Sequence, residues 1–147
     1  MNIFVFSSNN LTNIWAGIGA NMWAASESEQ HNGRVTKSRK MKVGSRGLLY
    51  CTETQSLTTP FLVYSKPSVD ERIANVWPET WVLPFRIHPL GSPAKQFHKD
   101  AAKTSLPSLK GATKNLFDVA YVQAVPAFVP SKHTDEDWEF LIEELAQ

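Results

Sequence analysis

The stretch FSSNNLTNIWAGIGANMWAAS, Phe6 to Ser26, holds two tryptophans eight residues apart. Leu11, Ile14, Trp15 and Ile18 keep helical spacing, and Asn10 stands where an N-cap is expected. Trp15 therefore falls on the apolar face of a helix, which assigns it to the core. Gly17 and Gly19 weaken that helix, and Trp23 follows just beyond the breaker-prone run. A tryptophan in that place is either core or one wall of a ligand site, and the local sequence leaves both open.

Working outward, NIFVFSS (Asn2 to Ser8) reads as a buried strand. Residues 27–45 are polar and basic. GLLYCT (Gly47 to Thr52) and TTPFLVYS (Thr58 to Ser65) read as two strands joined by ETQS. KPSVDERIAN is a loop or short helix, and TWVLPFRIHPL (Thr80 to Leu90) a further strand, with Pro84 marking an edge or a bulge. AKQFHKDAAK predicts a short helix that SLPSLKG breaks, and DVAYVQAVPAFV predicts one or two late strands. In SKHTDEDWEFLIEELA, Thr134 caps a helix with acids in its first turn and Trp138, Leu141, Ile142 and Leu145 on one face. No repeat or boundary divides the 147 residues, so a single domain spanning 1–147 is expected. Strands outnumber helices, which points to a closed or partly closed mixed β-structure with flanking helices.

Composition narrows the class. With 42% hydrophobic and 20% charged residues the chain is an ordinary globular domain. No apolar run approaches the roughly 20 residues of a membrane span, and MNIFVFSS lacks the basic start of a signal peptide. The single cysteine, Cys51, excludes an internal disulfide and fits the reducing cytoplasm. Charge is segregated although the net is only +1: between Glu29 and Glu53 there is no acid, and after Lys132 no Lys or Arg. Arg34, Lys37, Arg39, Lys40, Lys42 and Arg46 make a stretch suited to phosphates, or simply a solvated face.

Catalytic patterns are missing. His31, His88, His98 and His133 lack metal-motif spacing and read as surface residues; no metal or other cofactor is implied. There is no nucleophile elbow and no phosphate-binding glycine loop. Cys51, in a strand, reads as a small buried hydrophobe. What remains is a basic stretch beside aromatics, the combination that stacks bases and neutralises backbone charge. Trp23, Trp77 and Trp81 sit at expected loop or strand edges, whereas Trp15 and Trp138 lie on helical faces.

IFVFSSNNLTNIWAGIGANMWAAS resembles the opening of YTH domains, readers of N6-methyladenine. Ser8, Asn9, Asn13-Ile14, Ile18 and Trp23-Ala24 occupy the family's strand-end serine, Asn turn, helical Asn pair and helix-exit tryptophan without a gap. RKMKVGSRGLLYCTETQSLTTPFLVYSKPSVDERIANVW and the C-terminal VQAVPAFVPSKHTDEDWEFLIEEL look more like the EVE domains, sisters of YTH in the PUA-like superfamily. The resemblance implies an α+β, PUA-like pseudo-barrel flanked by short α-helices, acting as a non-catalytic reader that receives a flipped base.

Carried over by position, Ser8 stands at the base site, Trp23 walls an aromatic cage and Asn13 bonds the Watson–Crick edge. Asn9 bonds the ring nitrogen on the sugar side, and the Ala24 backbone accepts from the exocyclic amine. Ala replaces the family's usual Ser or Cys there. The second wall is Trp77 or Trp81, with Trp77 favoured, and Leu83 is offered for the third. Ser7 replaces a family lysine, which keeps a modified cytosine open beside N6-methyladenine. The implied partner is DNA or RNA carrying a modified base, with an effector nuclease or NTPase fused or separate, as in modification-dependent restriction or anti-phage systems. Three alternatives stand beside this: an RNA-binding module without modification selectivity; a nucleotide-processing enzyme using Asn9, Asn13 and Asp70; and a partner-docking role for the acidic C-terminal helix.

Overall fold

The computed structural model describes residues 2–27, 33–122 and 127–147. Seven strands form one mixed sheet: β1 (Ile3–Ser8), β2 (Met22–Ser26), β3 (Arg46–Cys51), β4 (Ser56–Val63), β5 (Arg72–Ile73), β6 (Trp81–Pro89) and β7 (Gln96–His98). Their order is β1-β3-β4-β6-β2, with β5 on β6 and β7 on β4. Only β1–β3 is parallel; the other pairings are antiparallel. The strands at the two ends of this order, β1 and β2, are consecutive in sequence. They are joined by helix α1 (Leu11–Ala20), which packs on both. Four further helices follow: α2 (Arg34–Arg39), α3 (Lys99–Ser105), α4 (Phe117–Ala120) and α5 (Asp135–Leu145).

Two apolar cores lie on opposite sides of the sheet. Alternation in β1 sends Phe4 and Phe6 to one and Ile3 and Val5 to the other. The first core collects Ile14, Trp23, Phe61, Trp77, Trp81 and Phe85 beneath α1. The second packs Leu48, Tyr50 and Leu57 against α3, α4 and α5 through Ala102, Val119 and Leu141. Burial on both faces is the usual condition of a parallel pair, and β1 and β3 are inaccessible almost throughout. Gly47 leaves room for Phe61 across the β3–β4 pair, since a Cβ there would stand 2.2 Å from the Phe61 ring.

Local rules account for the elements that match expectation. The Asn10 side chain accepts from Asn13 N at 2.8 Å and starts α1. Asn21, at φ 53°, stops it in the left-handed conformation that Asn tolerates. Thr134 and Asp137 form a capping box at the start of α5. Pro84 marks a bulge rather than an edge: β6 lies between β4 and β2, and its register with β2 shifts between Trp23 and Ala25.

Several expectations are corrected. Trp15 is 50% exposed, because α1 turns Asn13, Ile14 and Gly17 inward. Trp23 lies inside a strand, β2, not at a loop. Residues 34–39 are helical, and QFH of AKQFHKDAAK pairs with β4 as β7 before α3 begins. Phe117–Ala120 of the expected late strands is a helical turn, whereas residues 123–126 lie outside the described residues. His88 and His98 are exposed as expected and His31 is undescribed, but His133 is buried.

His133 is buried because it holds a buried carboxylate. Its Nδ1 lies 2.8 Å from Asp137 Oδ2, and both side chains are fully inaccessible. Ser108 donates to Asp137 through its backbone N at 2.8 Å and its Oγ at 2.5 Å. These bonds fasten α5 to the segment after α3. Burial pushes the Asp137 carboxyl up, but the hydrogen bonds from His133 and Ser108 outweigh it and hold the group below its ordinary range. A carboxylate lowered on folding stabilises the fold above about pH 4, and that stabilisation fades as pH falls through the folded value. Replacing Asp137 by Asn is expected to cost roughly 3 kcal/mol in urea unfolding at pH 7. The gap between variant and parent should narrow below about pH 4.

Candidate base-binding site

Trp23, Trp77 and Trp81 form one cluster. The Trp77 and Trp81 rings are stacked, 4.2 Å between centroids and 13° apart in plane. Trp23 stands nearly perpendicular to both, with centroids 5.6 Å from Trp77 and 5.2 Å from Trp81. All three are buried, at 1%, 3% and 5% exposure respectively. Leu83, adjacent on β6 and held at φ 58°, belongs to the same core.

Three chain segments build this cluster. Trp23 comes from β2, whose position against α1 depends on Gly17: a Cβ there would meet Trp23 Cε3 at 2.8 Å and Met22 O at 2.9 Å. Trp77 comes from the irregular segment before β6, and its Nε1–H donates to the Asn13 carbonyl at 2.9 Å. Trp81 opens β6 opposite Ser26 and Ile73, and its Nε1–H donates to Glu79 at 3.2 Å. Glu27 and Arg72 form an ion pair that fastens the end of β2 to β5 beside it.

Polar groups meet the cluster at two places. The side-chain amide of Asn13, 8% exposed, makes no hydrogen bond among the described residues. The amide atoms keep access to solvent, which leaves a donor and an acceptor available for either edge of a base. At the bulge, pairing runs from Trp23–Phe85 to Ala25–Val82, so Ala24 has no partner in the β2–β6 register. Pro84, across from it, has no N–H to offer.

The remaining site residues are placed unequally. Ser8 is buried and its Oγ donates to Asn10 O at 2.8 Å, shaping the turn into α1. Asn9 is exposed in that turn. Of the basic stretch, Arg39, Lys40 and Lys42 are exposed and Lys37 is half-buried. Arg34 donates to Ser26 O at 3.0 Å, at the end of β2. Arg46 is drawn to α5, 2.9 Å from Asp135 and over the Trp138 ring. The six therefore do not act as one strip.

Other chemistry finds less support. Cys51 is fully buried in the core, and Asp70 is exposed in the loop before β5. No group of three metal-ligating side chains occurs among the described residues. Ser108 and His133 both bond Asp137 and not each other, so they lack the nucleophile–base contact of a catalytic triad. No helix is long and apolar enough to cross a membrane among the described residues.

No protein-family model matches the sequence, and no curated protein matches it. Solved structures do. The YTH domain of Zygosaccharomyces rouxii MRB1, in complex with N6-methyladenosine RNA, superposes with a TM-score of 0.64 at 14% identity, covering 99% of this chain and 89% of that one. The Pho92 YTH domain in complex with m6A gives 0.63 at 13% identity, covering 97% and 84%. The Mmi1 YTH domain in complex with RNA gives 0.61 at 12%, covering 97% and 77%.

The fold is YTH-like.

Within this YTH-like fold, the residue that sequence reasoning undervalued is Gly17. In sequence it reads as a helix weakness, but a glycine inside a helical pattern also signals a close approach. Gly17→Ala should displace Trp23 and cost about 1–3 kcal/mol by overpacking. Intrinsic tryptophan emission, read together with urea unfolding, checks both effects.

Proposed function

We propose that this domain reads a modified base in single-stranded nucleic acid, with N6-methyladenine in RNA as the first candidate. The observation that carries the reading is the unbonded Asn13 amide set against three mutually packed tryptophans. The two YTH neighbours in complex with methylated adenosine favour that base; a 5-modified cytosine or a DNA strand remains a variant of the same mechanism. Trp23 supplies the first wall, Asn13 and the Ala24 backbone the polar edge contacts, and Asn9 the contact nearer the sugar.

The cluster must open to receive a base. A base sandwiched between two rings needs about 7 Å between their planes, twice a carbon–carbon contact of about 3.5 Å. Trp77 and Trp81, at 4.2 Å, leave no such gap. Trp81 is held in strand pairing, whereas Trp77 comes from the irregular segment and is tied to α1 by its bond to Asn13 O. Trp77, outside strand pairing, is therefore the wall that moves, giving up its bond to Asn13 O, and Trp23, perpendicular to it, closes the side of the opened site. The displacement of Trp77 exposes indole surface that the base then covers.

Energies agree with such an exchange. Extruding a base costs a few kcal/mol, least from a strand already single. Stacking returns about 1–3 kcal/mol per aromatic contact. A buried methyl adds only about 0.8 kcal/mol, roughly fourfold in affinity, so sharper selectivity must come from how tightly the closed walls fit it. The reading assigns the chain no chemistry of its own; a nuclease or NTPase would belong to a partner chain or a fused segment.

Tryptophan-fluorescence titration with matched single-stranded oligonucleotides, plain or modified at adenine or cytosine, tests it. One modified base should saturate the quenching at several-fold lower concentration. Trp23→Ala, checked by circular dichroism to be folded, should abolish that preference. Equal binding of every oligonucleotide by the parent would overturn the reading.

A further inference from the structure

The second face of the sheet is not covered everywhere. Over β1 and β3 it is packed by α3, α4 and α5, but over β6 the outward residues Arg86 and His88 are exposed. Tyr64 follows β4 directly, and its N–H donates to Arg86 O at 3.0 Å, extending the β4–β6 ladder by one pair. In an antiparallel ladder, residues directly opposite point to the same face, with Cβ atoms about 5 Å apart. Val63 and Ile87 of the preceding pair enter the core, so Tyr64 and Arg86 share the outward side. Tyr64 is 51% exposed, an unusual position for a ring of its size.

Segments carrying exposed cations are tied by hydrogen bonds to the chain around Tyr64. Lys66, two residues on, reaches across to donate to Arg39 O at 2.5 Å, which draws the end of α2 to the segment after β4. Gly44 N donates to Val63 O at 2.6 Å, placing the Lys42–Ser45 turn against the base of Tyr64. Lys42 and Arg39 are exposed there, and neither they nor Lys66 and Arg86 form an ion pair among the described residues. The acids nearest in sequence, Asp70 and Glu71, come only where the chain has turned towards β5.

We infer that this face is a second nucleic-acid contact, on which a base of the strand stacks on Tyr64 while Arg86, Lys66 and Arg39 take its phosphates. An exposed aromatic among cations drawn from several segments is what single-stranded nucleic acid requires of a protein surface. It also lies across the sheet from the tryptophans. Arg86 pairs with Met22 of β2, the neighbour of Trp23, and β2 ends the sheet order. A strand that delivers one base to Trp23 can thus pass over β2 and lay a neighbouring nucleotide on Tyr64. The inference deepens the reader proposed above and rests on it for the choice of nucleic acid.

The test uses the whole chain with two probes, an unmodified single-stranded octanucleotide and N6-methyladenosine as the free nucleoside. Tyr64→Ala should weaken octanucleotide binding about tenfold, within the range of one base–aromatic stack. Tyr64→Phe, which keeps the ring, should bind like the parent. Arg86→Gln should lower the slope of log affinity against log salt by about 0.7, the share of one phosphate contact on a single strand. None of these changes should alter nucleoside binding. The inference is overturned if Tyr64→Ala binds the octanucleotide as the parent does, or if the parent does not bind it at low salt. Failure of the base-reading proposal shows differently, as N6-methyladenosine binding no better than adenosine while the Tyr64 effect on the octanucleotide persists.

Discussion

Trp77 donates its indole proton to the carbonyl of Asn13, and Gly17, one turn further along α1, has no side chain to hold Trp23 away. These two contacts on one helix set the geometry around them. A backbone carbonyl has two lone pairs, so one inside a helix can take an indole without giving up its place in the ladder. The helix is thereby fixed against β2 and the segment before β6 at once. The Asn13 side chain bonds no described residue. Moving α1 would disturb the first core, the tryptophan cluster and the Asn13 amide beside it.

The proposed reading gives the same indoles two purposes that pull against each other. In the closed arrangement they fill the core and stack on one another, which is worth about 0.5–1.5 kcal/mol per aromatic pair beyond burial. On the proposed reading, a base would enter only by replacing one of those contacts with its own. Part of the binding energy would then be spent on opening, and the apparent affinity would fall by the fraction of molecules already open. A closed cluster also penalises loose occupants, since a ligand that fits poorly leaves buried surface without contact.

Much of the fold was legible because local rules were obeyed. Asn10 and Thr134 stand at helix starts with the side chains that caps require, and β1, β3 and β4 are apolar runs ended by polar turns. The tryptophans were legible only through the resemblance, since nothing in the local sequence brings Trp77 and Trp81 to Trp23. Where reading failed, tertiary structure had overridden periodicity. Trp15 keeps helical spacing with Ile14 and Ile18, but α1 buries a narrow stripe containing Gly17, leaving the larger residue in solvent. His133 carries no local signal of burial; its partner Asp137 was legible as a capping acid, not as the centre of a knot reaching Ser108. Arg46 looked like its basic neighbours, yet strand pairing carries it to α5. The Tyr64 surface was invisible for the same reason, being assembled from cations on three segments.

The outer edge of β1 illustrates what these distant contacts mean for the route to the native state. Ser131 donates to Ile3 O through both its backbone N at 2.9 Å and its Oγ at 2.6 Å, and Phe4 bridges to Pro130. The first strand is thus flanked by β3 on one side and by residues 128 positions away on the other. Closing so long a loop is slow, because its entropy is lost before the contacts form. Until residues 130–131 arrive, β1 presents an unpaired apolar edge, the kind that recruits strands from other molecules. Pro130, with no N–H to extend a ladder, then ends the sheet on that side. A contact between the two ends of the chain is thus also the one that shields β1 from other copies.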